Sequence, residues 1–468
     1  MDLIILNRNI RLRDNAAFFY GSLNQNYRVI YPYDKNYWTS NGRSKVQLKF
    51  FLESLEELDG ELKKLNSSIE IFEGDFTNLR NYIEVNYPNA KIHINHTTET
   101  NYYRNSFLAF KDHYNRHNRL FIYSDFGVQT GSVNRDKWAF EWNKLMKKKL
   151  YDLPKPNIKF FVTDLINITE FKNKIKLNLK NNIQRGGSSN AYDLLNSFLM
   201  DRSNGYSRNM SSPIEAERSC SRLSPHISFG TISVREIFQK LESFYPFSNN
   251  KRDLNSFRKR LYWHCHFIQK LETEPDLESF SMHRMCDNLR EKENEEFIEK
   301  WITGQTGFPF MDACIKYLRE NGWINFRMRA MIMSFASYNL WQPWQITSPL
   351  LAELFVDYEP GIHIPQVQMQ SGVTGINLPR IYSVTKQSRD QDKNALWIKK
   401  VIPSLAMFGP DDIHDANLND DYIPPIVDLK ESSKYARDKI WSIRKDQEFK
   451  NIARTVYLKH GSRKRRNA

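Results

Sequence analysis

Residues 301–344, WITGQTGFPFMDACIKYLRENGWINFRMRAMIMSFASYNLWQPW, restrict the fold more than any other segment. Gly304, Gly307 and Pro309 interrupt a Trp-led run, and then Met311, Ile315 and Leu318 recur at helical spacing until Gly322 ends the helix. Arg327 and Arg329 open the next apolar-periodic stretch, so two guanidinium groups stand at a turn that suits an anionic ligand. Taken singly, Phe308, Met311, Trp323 and Phe335 read as core. Similar spacing over 234–241, 254–268 and 328–340 predicts a second half that is helical almost throughout.

The first half has a different rhythm. Short apolar runs at 3–6, 28–33, 69–72, 91–94 and 120–123 alternate with helical patterns, the clearest over 46–65 with Val46, Phe50, Leu55, Leu58, Leu62 and Leu65 on one stripe. Such alternation predicts a Rossmann-like parallel sheet with helices on both faces, and a ligand site beyond the carboxyl ends of its strands. Patterns weaken over 152–204, where GGSSNA at 186–191 has the composition of a flexible loop. The expected organisation is an α/β domain over 1–135, a connector over 136–205 and an all-α domain over 206–468.

At 468 residues two cores are expected. Lys plus Arg number 68 against 54 Asp plus Glu, and the resulting +14 favours a polyanionic partner or an anionic cofactor. Cys220, Cys265, Cys286 and Cys314 are scattered without metal-ligand spacing, so no metal site and no disulfide framework is expected. No segment is long and apolar enough to cross a bilayer, and the chain begins on a strand-like run rather than a leader, so a cytoplasmic monomer is expected. The basic end, Arg463, Lys464, Arg465 and Arg466, reads as a solvated tail.

The 301–344 stretch resembles the FAD-binding domain of photolyases and cryptochromes, whose signature runs W-x-x-G-x-T-G-x-P-x-x-D-A followed by G-W and an R-x-R pair. NRNIRLRDNAAFF, with Arg8, Arg11, Leu12, Asp14, Asn15 and Ala17 in place, resembles that family's opening motif, and Arg135, Asp136, Trp138 and Trp142 resemble the close of its antenna domain. RSCSRLSPHISFGTIS, residues 218–233, is similar to the segment that holds the FAD pyrophosphate. The resemblance puts Cys220, Ser221, Arg222, Leu223 and Ser224 there, with Tyr206 as a further contact. Read alone, this segment is an ordinary helix cap.

DYEPGIHIPQVQMQSG, residues 357–372, is similar to the family's D-x-D segment. It implies an Asp357–Arg329 pair beside the isoalloxazine, Glu359 at the flavin edge in place of a second Asp, and His363 facing flavin N5 as a hydrogen-bond or proton donor. Residues 256–272 match the helix that contacts the lesion in repair enzymes. Trp263 takes the place of the stacking Trp, Arg260 that of the catalytic Glu, and Phe326 replaces a pocket Asn. Of the family's Trp relay only Trp344 remains, Val367 and Glu291 standing at the other two places; Trp341, Tyr338 and Tyr358 are candidate substitutes. The resemblance implies a light-dependent repair flavoprotein that splits pyrimidine dimers in damaged DNA, a deoxyribodipyrimidine photo-lyase-like activity. It also implies an antenna chromophore, folate or deazaflavin. The alternative is a cryptochrome-type photoreceptor without repair.

Overall fold

The computed structural model describes residues 1–463 apart from 41, 125, 162, 178, 180 and 181. The expected strands form: β1 Asp2–Ile5, β2 Tyr27–Tyr33, β3 Ile69–Glu73, β4 Lys91–Asn95 and β5 Leu120–Tyr123. They lie parallel in the order β5-β4-β1-β2-β3, and β6, Ile166–Asn167, adds an antiparallel edge to β3 by pairing Ile71 with Ile166. Alternation along the strands supplies two cores. Ile4, Val29, Tyr31 and Ile71 enter one cluster, and Leu3, Ile5, Ile30 and Ile92 enter the other.

Helix α1, Lys45–Lys63, covers the first face with Phe51, Leu55, Leu58 and Leu62 buried. Each such side chain contributes roughly 1.5–3 kcal/mol by leaving water. The connector is more ordered than its composition suggested. It holds β6, α2 (Trp138–Met146) and a helix Ser188–Ser197. The 186–191 segment is a helix start, not a flexible loop: Gly187, at φ +101, caps that helix and donates its amide to Ser54 Oγ (3.0 Å), while the Ser189 amide bonds Glu57 (2.7 Å).

The second half folds from α3 (Val234–Phe244), α4 (Lys251–Thr273), α5 (Pro309–Asn321), α6 (Phe326–Ser334), α7 (Pro360–Gln370) and α8 (Gln447–His460), among other helices. Pro309 opens α5 and left-handed Gly322 closes it, as the punctuation predicted. The helix over 328–340 departs from regularity after Ser334, where a π-helical turn, Phe335–Asn339, ends it. α4 and α7 pack closely because residue 361 is glycine. A Cβ there would lie 2.8 Å from the Ile268 backbone. Among the described residues no helix is long and apolar enough to cross a membrane.

The loop after β1 is the bolt between the two halves. Arg11 Nη1 donates to the Gly230 carbonyl (2.9 Å), and Asp14 accepts from Ser233 Oγ (2.6 Å) and pairs with Arg235. Gly230 sits at φ +68 with the Arg8 carbonyl against it, which leaves no room for a side chain.

Candidate functional site

The 218–224 segment makes a local bend that collects positive charge. Cys220 ends a short helix, Ala216–Ser219, in extended conformation. Arg222 then takes φ +61, and Pro225 sits in the first turn of the helix Ser224–Ser228. Arg202, Arg222, Arg260 and Arg329 all act on the Cys220 thiol, yet burial prevails and pushes it up to about 11, so the thiol stays protonated.

Arg202 and Arg222 have no carboxylate of their own among the described residues. Arg202 donates to the carbonyls of Leu194 (2.7 Å), Arg218 (3.0 Å) and Cys220 (2.5 Å). Arg222 bonds Gln184 (3.3 Å) and stacks 3.9 Å over Trp323. Its Nη1 is buried with no hydrogen-bond partner. Burial lowers the pKa of both guanidinium groups, and for Arg202 the charge on Arg222 lowers it further. Two half-buried cations bonded to neutral groups, one with a buried unpartnered Nη1, form an unfilled demand for an anion.

Across this segment stands the expected Arg329–Asp357 pair. Asn325 caps α6 by accepting the Met328 amide (3.0 Å), which sets Arg329 in the first turns of that helix. Arg329 Nη1 and Nη2 each lie 2.9 Å from one oxygen of Asp357, while Nε bonds the Ile324 carbonyl (2.7 Å) and the plane stacks over Phe355 at 4.2 Å. The bidentate fork fixes both side chains.

His363 and Glu359 differ from expectation. His363 Nε2 donates to the Ser348 carbonyl (2.9 Å), and burial pushes its pKa down to about 4 against the pull of that carbonyl. It is therefore neutral near pH 7 with Nδ1 as an acceptor, the reverse of the donor role expected from the sequence. Glu359 is turned away from Asp357 into the interface between the two halves. Its carboxylate takes Arg8 Nη1 at 2.5 Å and Nη2 at 3.2 Å, and accepts the Gly361 amide (3.3 Å) as the cap of α7. Glu99 lies 2.5 Å from Arg8 Nε and 2.7 Å from Arg43. Burial disfavours the Arg8 cation, but Glu359 and Glu99 outweigh it and leave Arg8 more basic than usual. An edge carboxylate for a flavin is thus a strut between domains.

Toward solvent, α4 presents Trp263 and Arg260 beside Phe326. Arg260 is exposed, lies 5.1 Å from the Phe326 ring centroid and donates to Met210 Sδ (3.6 Å), with the buried Tyr206 beside it. Phe326 is 45% exposed with Arg327 at 5.6 Å on it, so two guanidinium groups flank one accessible ring. Trp263 is half-buried against His266 (5.0 Å) and Phe267 (5.8 Å). Trp344 is buried and donates to Ser281 Oγ (3.2 Å). Trp341 stacks edge-on to Tyr435 at 5.2 Å, whereas Tyr358 packs on His363 at 5.4 Å.

A separate cavity of about 40 Å³ lies at the carboxyl ends of β1 to β4, lined by Arg8, Tyr31, Tyr37, Trp38, Glu99 and Tyr103 among others. Its place is the one the parallel sheet predicts. Its size suits a water or two, so an aromatic chromophore there requires displacement of these rings.

Comparison with known proteins fits this geometry. Residues 257–442 match the FAD binding domain of DNA photolyase, and residues 3–105 match the DNA photolyase domain. The chain belongs to the photolyase/cryptochrome family. Deoxyribodipyrimidine photo-lyase of Alkalihalophilus pseudofirmus is 28% identical over 268 residues, 53% of this chain and 54% of that protein. The enzyme of that name from Buchnera aphidicola of Acyrthosiphon pisum is 24% identical over 465 residues, 92% of this chain and 95% of that protein. Cryptochrome DASH of Gloeobacter violaceus is 25% identical over 266 residues, 53% of each chain. The chain thus spans about half the length of most of the curated relatives named here. An archaeal photolyase from Sulfolobus tokodaii, solved with two FAD molecules, superposes with a TM-score of 0.79 at 26% identity, covering 94% of this chain and 100% of that one. A class III photolyase from Agrobacterium tumefaciens, at TM-score 0.81 and 20% identity, covers 95% of this chain and 98% of that one and shares the fold.

The family resemblance gave no sign of Arg202 or of Trp323 as a platform for Arg222. The only sequence signal was Arg202 itself, a cation close ahead of the Ser-rich segment. The end of the basic tail, 464–466, lies outside the described residues, while Arg463 is paired with Asp136 at 2.6 Å.

Proposed function

We propose that this chain is a light-dependent DNA-repair flavoprotein that acts on pyrimidine dimers. The observation that carries the reading is the half-buried pair Arg202 and Arg222, bonded to neutral groups with Arg222 Nη1 buried and unpartnered, beside the accessible Trp263, Arg260 and Phe326. The buried Nη1 of Arg222 and the surplus cations fit a diphosphate, so the residues present suit FAD. When bound, FAD would supply the light-driven one-electron chemistry that opens the cyclobutane ring of a pyrimidine dimer.

The chain's own residues bind and orient. Arg202, Arg222, Ser221 and Ser224 hold the diphosphate, with Cys220 contributing a protonated thiol and Leu223 packing below. Arg329, fixed by Asp357, sets a positive charge on the inner wall, and neutral His363 offers Nδ1 as an acceptor. Met210 holds Arg260 through its sulfur, and the exposed guanidinium is placed to stabilise negative charge on a pyrimidine carbonyl. Trp263 supplies a stacking face for an extruded base pair. Trp344 is the oxidisable ring retained at the middle place of the family's relay, Val367 standing at the place nearest the flavin.

The test is illumination of dimer-containing single- and double-stranded DNA with the purified protein and a reductant. Light-dependent disappearance of dimers supports the reading, and its absence on both substrates sinks it. A second reading, a blue-light photoreceptor without repair, is favoured by Arg260 and Phe326 where repair enzymes resembling this chain carry Glu and Asn. It predicts light-dependent partner binding with undiminished ultraviolet survival of a deletion strain.

A further inference from the structure

The cavity at the carboxyl ends of β1 to β4 is the ligand place of the parallel sheet, and hence of the antenna chromophore that the family resemblance implies. The residues there do not fit one. The rings that line it are pinned rather than loose. Trp38 is 4% exposed and donates Nε1 to the Tyr31 hydroxyl (2.9 Å). Tyr37 donates its hydroxyl to Glu99 (2.9 Å), and Tyr102 donates to Asp34 (2.8 Å). Edge-on and tilted contacts join them: Tyr37 lies 5.4 Å from Trp38 and 5.7 Å from Tyr103, which meets Phe76 at 5.2 Å.

The same rings seat the second half of the molecule. Trp38 stacks with Phe229 at 6.5 Å, and Arg43 stands 4.9 Å from the Tyr37 ring and 4.9 Å from the Tyr358 ring. Widening this cavity of about 40 Å³ to the roughly 300 Å³ of the smaller ligand pockets therefore breaks hydrogen bonds in the α/β layer and contacts across the interface together.

Charge excludes the same ligands independently. The lining holds one cation, Arg8, against three carboxylates, Asp34, Asp75 and Glu99. Arg8 is already engaged by Glu99 and Glu359, each at 2.5 Å. Burial disfavours the Glu99 carboxylate, but Arg43 and Arg8 outweigh it and hold its pKa below the ordinary value, so it stays anionic. Asp34 and Asp75 are fixed as the caps of the helices Lys35–Trp38 and Phe76–Asn86. Folates, phosphorylated deazaflavins and flavin nucleotides all carry carboxylate or phosphate tails, which such a wall repels.

We infer that this chain holds no antenna chromophore in its α/β layer, whose ligand place is plugged by its own side chains, so that driving light is absorbed at the FAD site alone. The layer serves as a seat for the second half rather than as a light collector.

The experiment adds FMN, a deazaflavin or a methenyl folate to FAD-loaded full-length protein. Equilibrium dialysis is expected to show no saturable uptake of any of the three, and extraction of protein purified in dim light a single flavin per chain. Excitation spectra for flavin photoreduction are expected to follow FAD, with no added band when a probe is present. Saturable uptake by wild type, a stoichiometric second chromophore on extraction, or a sensitised band each overturns the inference. Trp38→Ala separates space from charge. It is expected to admit uncharged riboflavin and to take up FMN about tenfold more weakly, the weight of one poorly screened like charge. A variant that folds and admits neither overturns the plug, while the wild-type measurements stand whether or not it folds. Photoreduction is read rather than dimer repair, so the outcome does not depend on that activity.

Discussion

Replacing Glu359 by Gln separates the two roles open to that carboxylate. The substitution removes a charge that meets Arg8 at 2.5 and 3.2 Å in a site where both side chains are under a tenth exposed. Removing one partner of a buried pair costs about 3–5 kcal/mol. Arg8 keeps Glu99 at 2.5 Å, and the amide oxygen of Gln still caps the Gly361 amide, so the lower end, about 3 kcal/mol, applies. That is roughly a 150-fold change in the unfolding equilibrium. With a urea slope of about 3 kcal/mol/M it moves the midpoint down by about 1 M. The assay is urea denaturation of the cofactor-free chain followed by tryptophan fluorescence. Arg8→Gln and the double variant complete a cycle in which the two losses are strongly non-additive. A midpoint shift below about 0.2 M, accompanied by a tenfold loss of FAD retention, would show that Glu359 serves the flavin and that the strut is wrong.

Asp357→Asn leaves the Arg329 fork half-satisfied; a loss of about 1.5–3 kcal/mol of charge-assisted bonding predicts FAD dissociation about 10–100-fold faster, read by flavin fluorescence. Trp263→Ala is expected to weaken binding of dimer-containing strands by about 1–3 kcal/mol, measured by anisotropy, while leaving flavin content unchanged. Acid sensitivity follows from buried neutral histidines. His226 and His264 are pushed by burial down to about 3, and His363 down to about 4, from an ordinary 6.5. The unfolded chain binds more protons than the folded one between these values, so stability is full above pH 6.5 and falls progressively toward pH 3–4. A pH series of urea midpoints checks this, and a flat profile from pH 6.5 to 4.5 refutes it.

Most of the fold was legible because the apolar periods of strand and helix differ and because Gly and Pro fell at the α5 boundaries. The two-residue β6 was not, since a pair of residues carries no period. Residues 186–191 misled because composition cannot distinguish a loop from a helix start whose amides are bonded by Ser54 and Glu57 from a distant segment. At the site, the Arg329–Asp357 pair was legible because the two segments that carry it resemble family motifs whose members pair these residues. Glu359 was not, because its partner Arg8 lies in the other domain and one added methylene decides which way the carboxylate reaches. For His363 the donor or acceptor role depends on the Ser348 carbonyl, which the sequence around 363 does not reveal.

The strut also sets an order of events during synthesis. Arg8 and Glu359 are 351 residues apart, so at about 5–20 residues per second the ribosome delivers the second roughly 20–70 s after the first. In that interval the sheet can assemble and Arg8 can hold Glu99, but the loop after β1 has no seat until residues 228–235 follow, and Arg8 has no second counter-ion until α7 begins. The nascent α/β layer therefore waits with its bolt undrawn, and interruption of translation before α7 leaves a guanidinium short of its partner on an uncovered face. Truncated products ending before residue 359 are for this reason natural clients of chaperones and proteases.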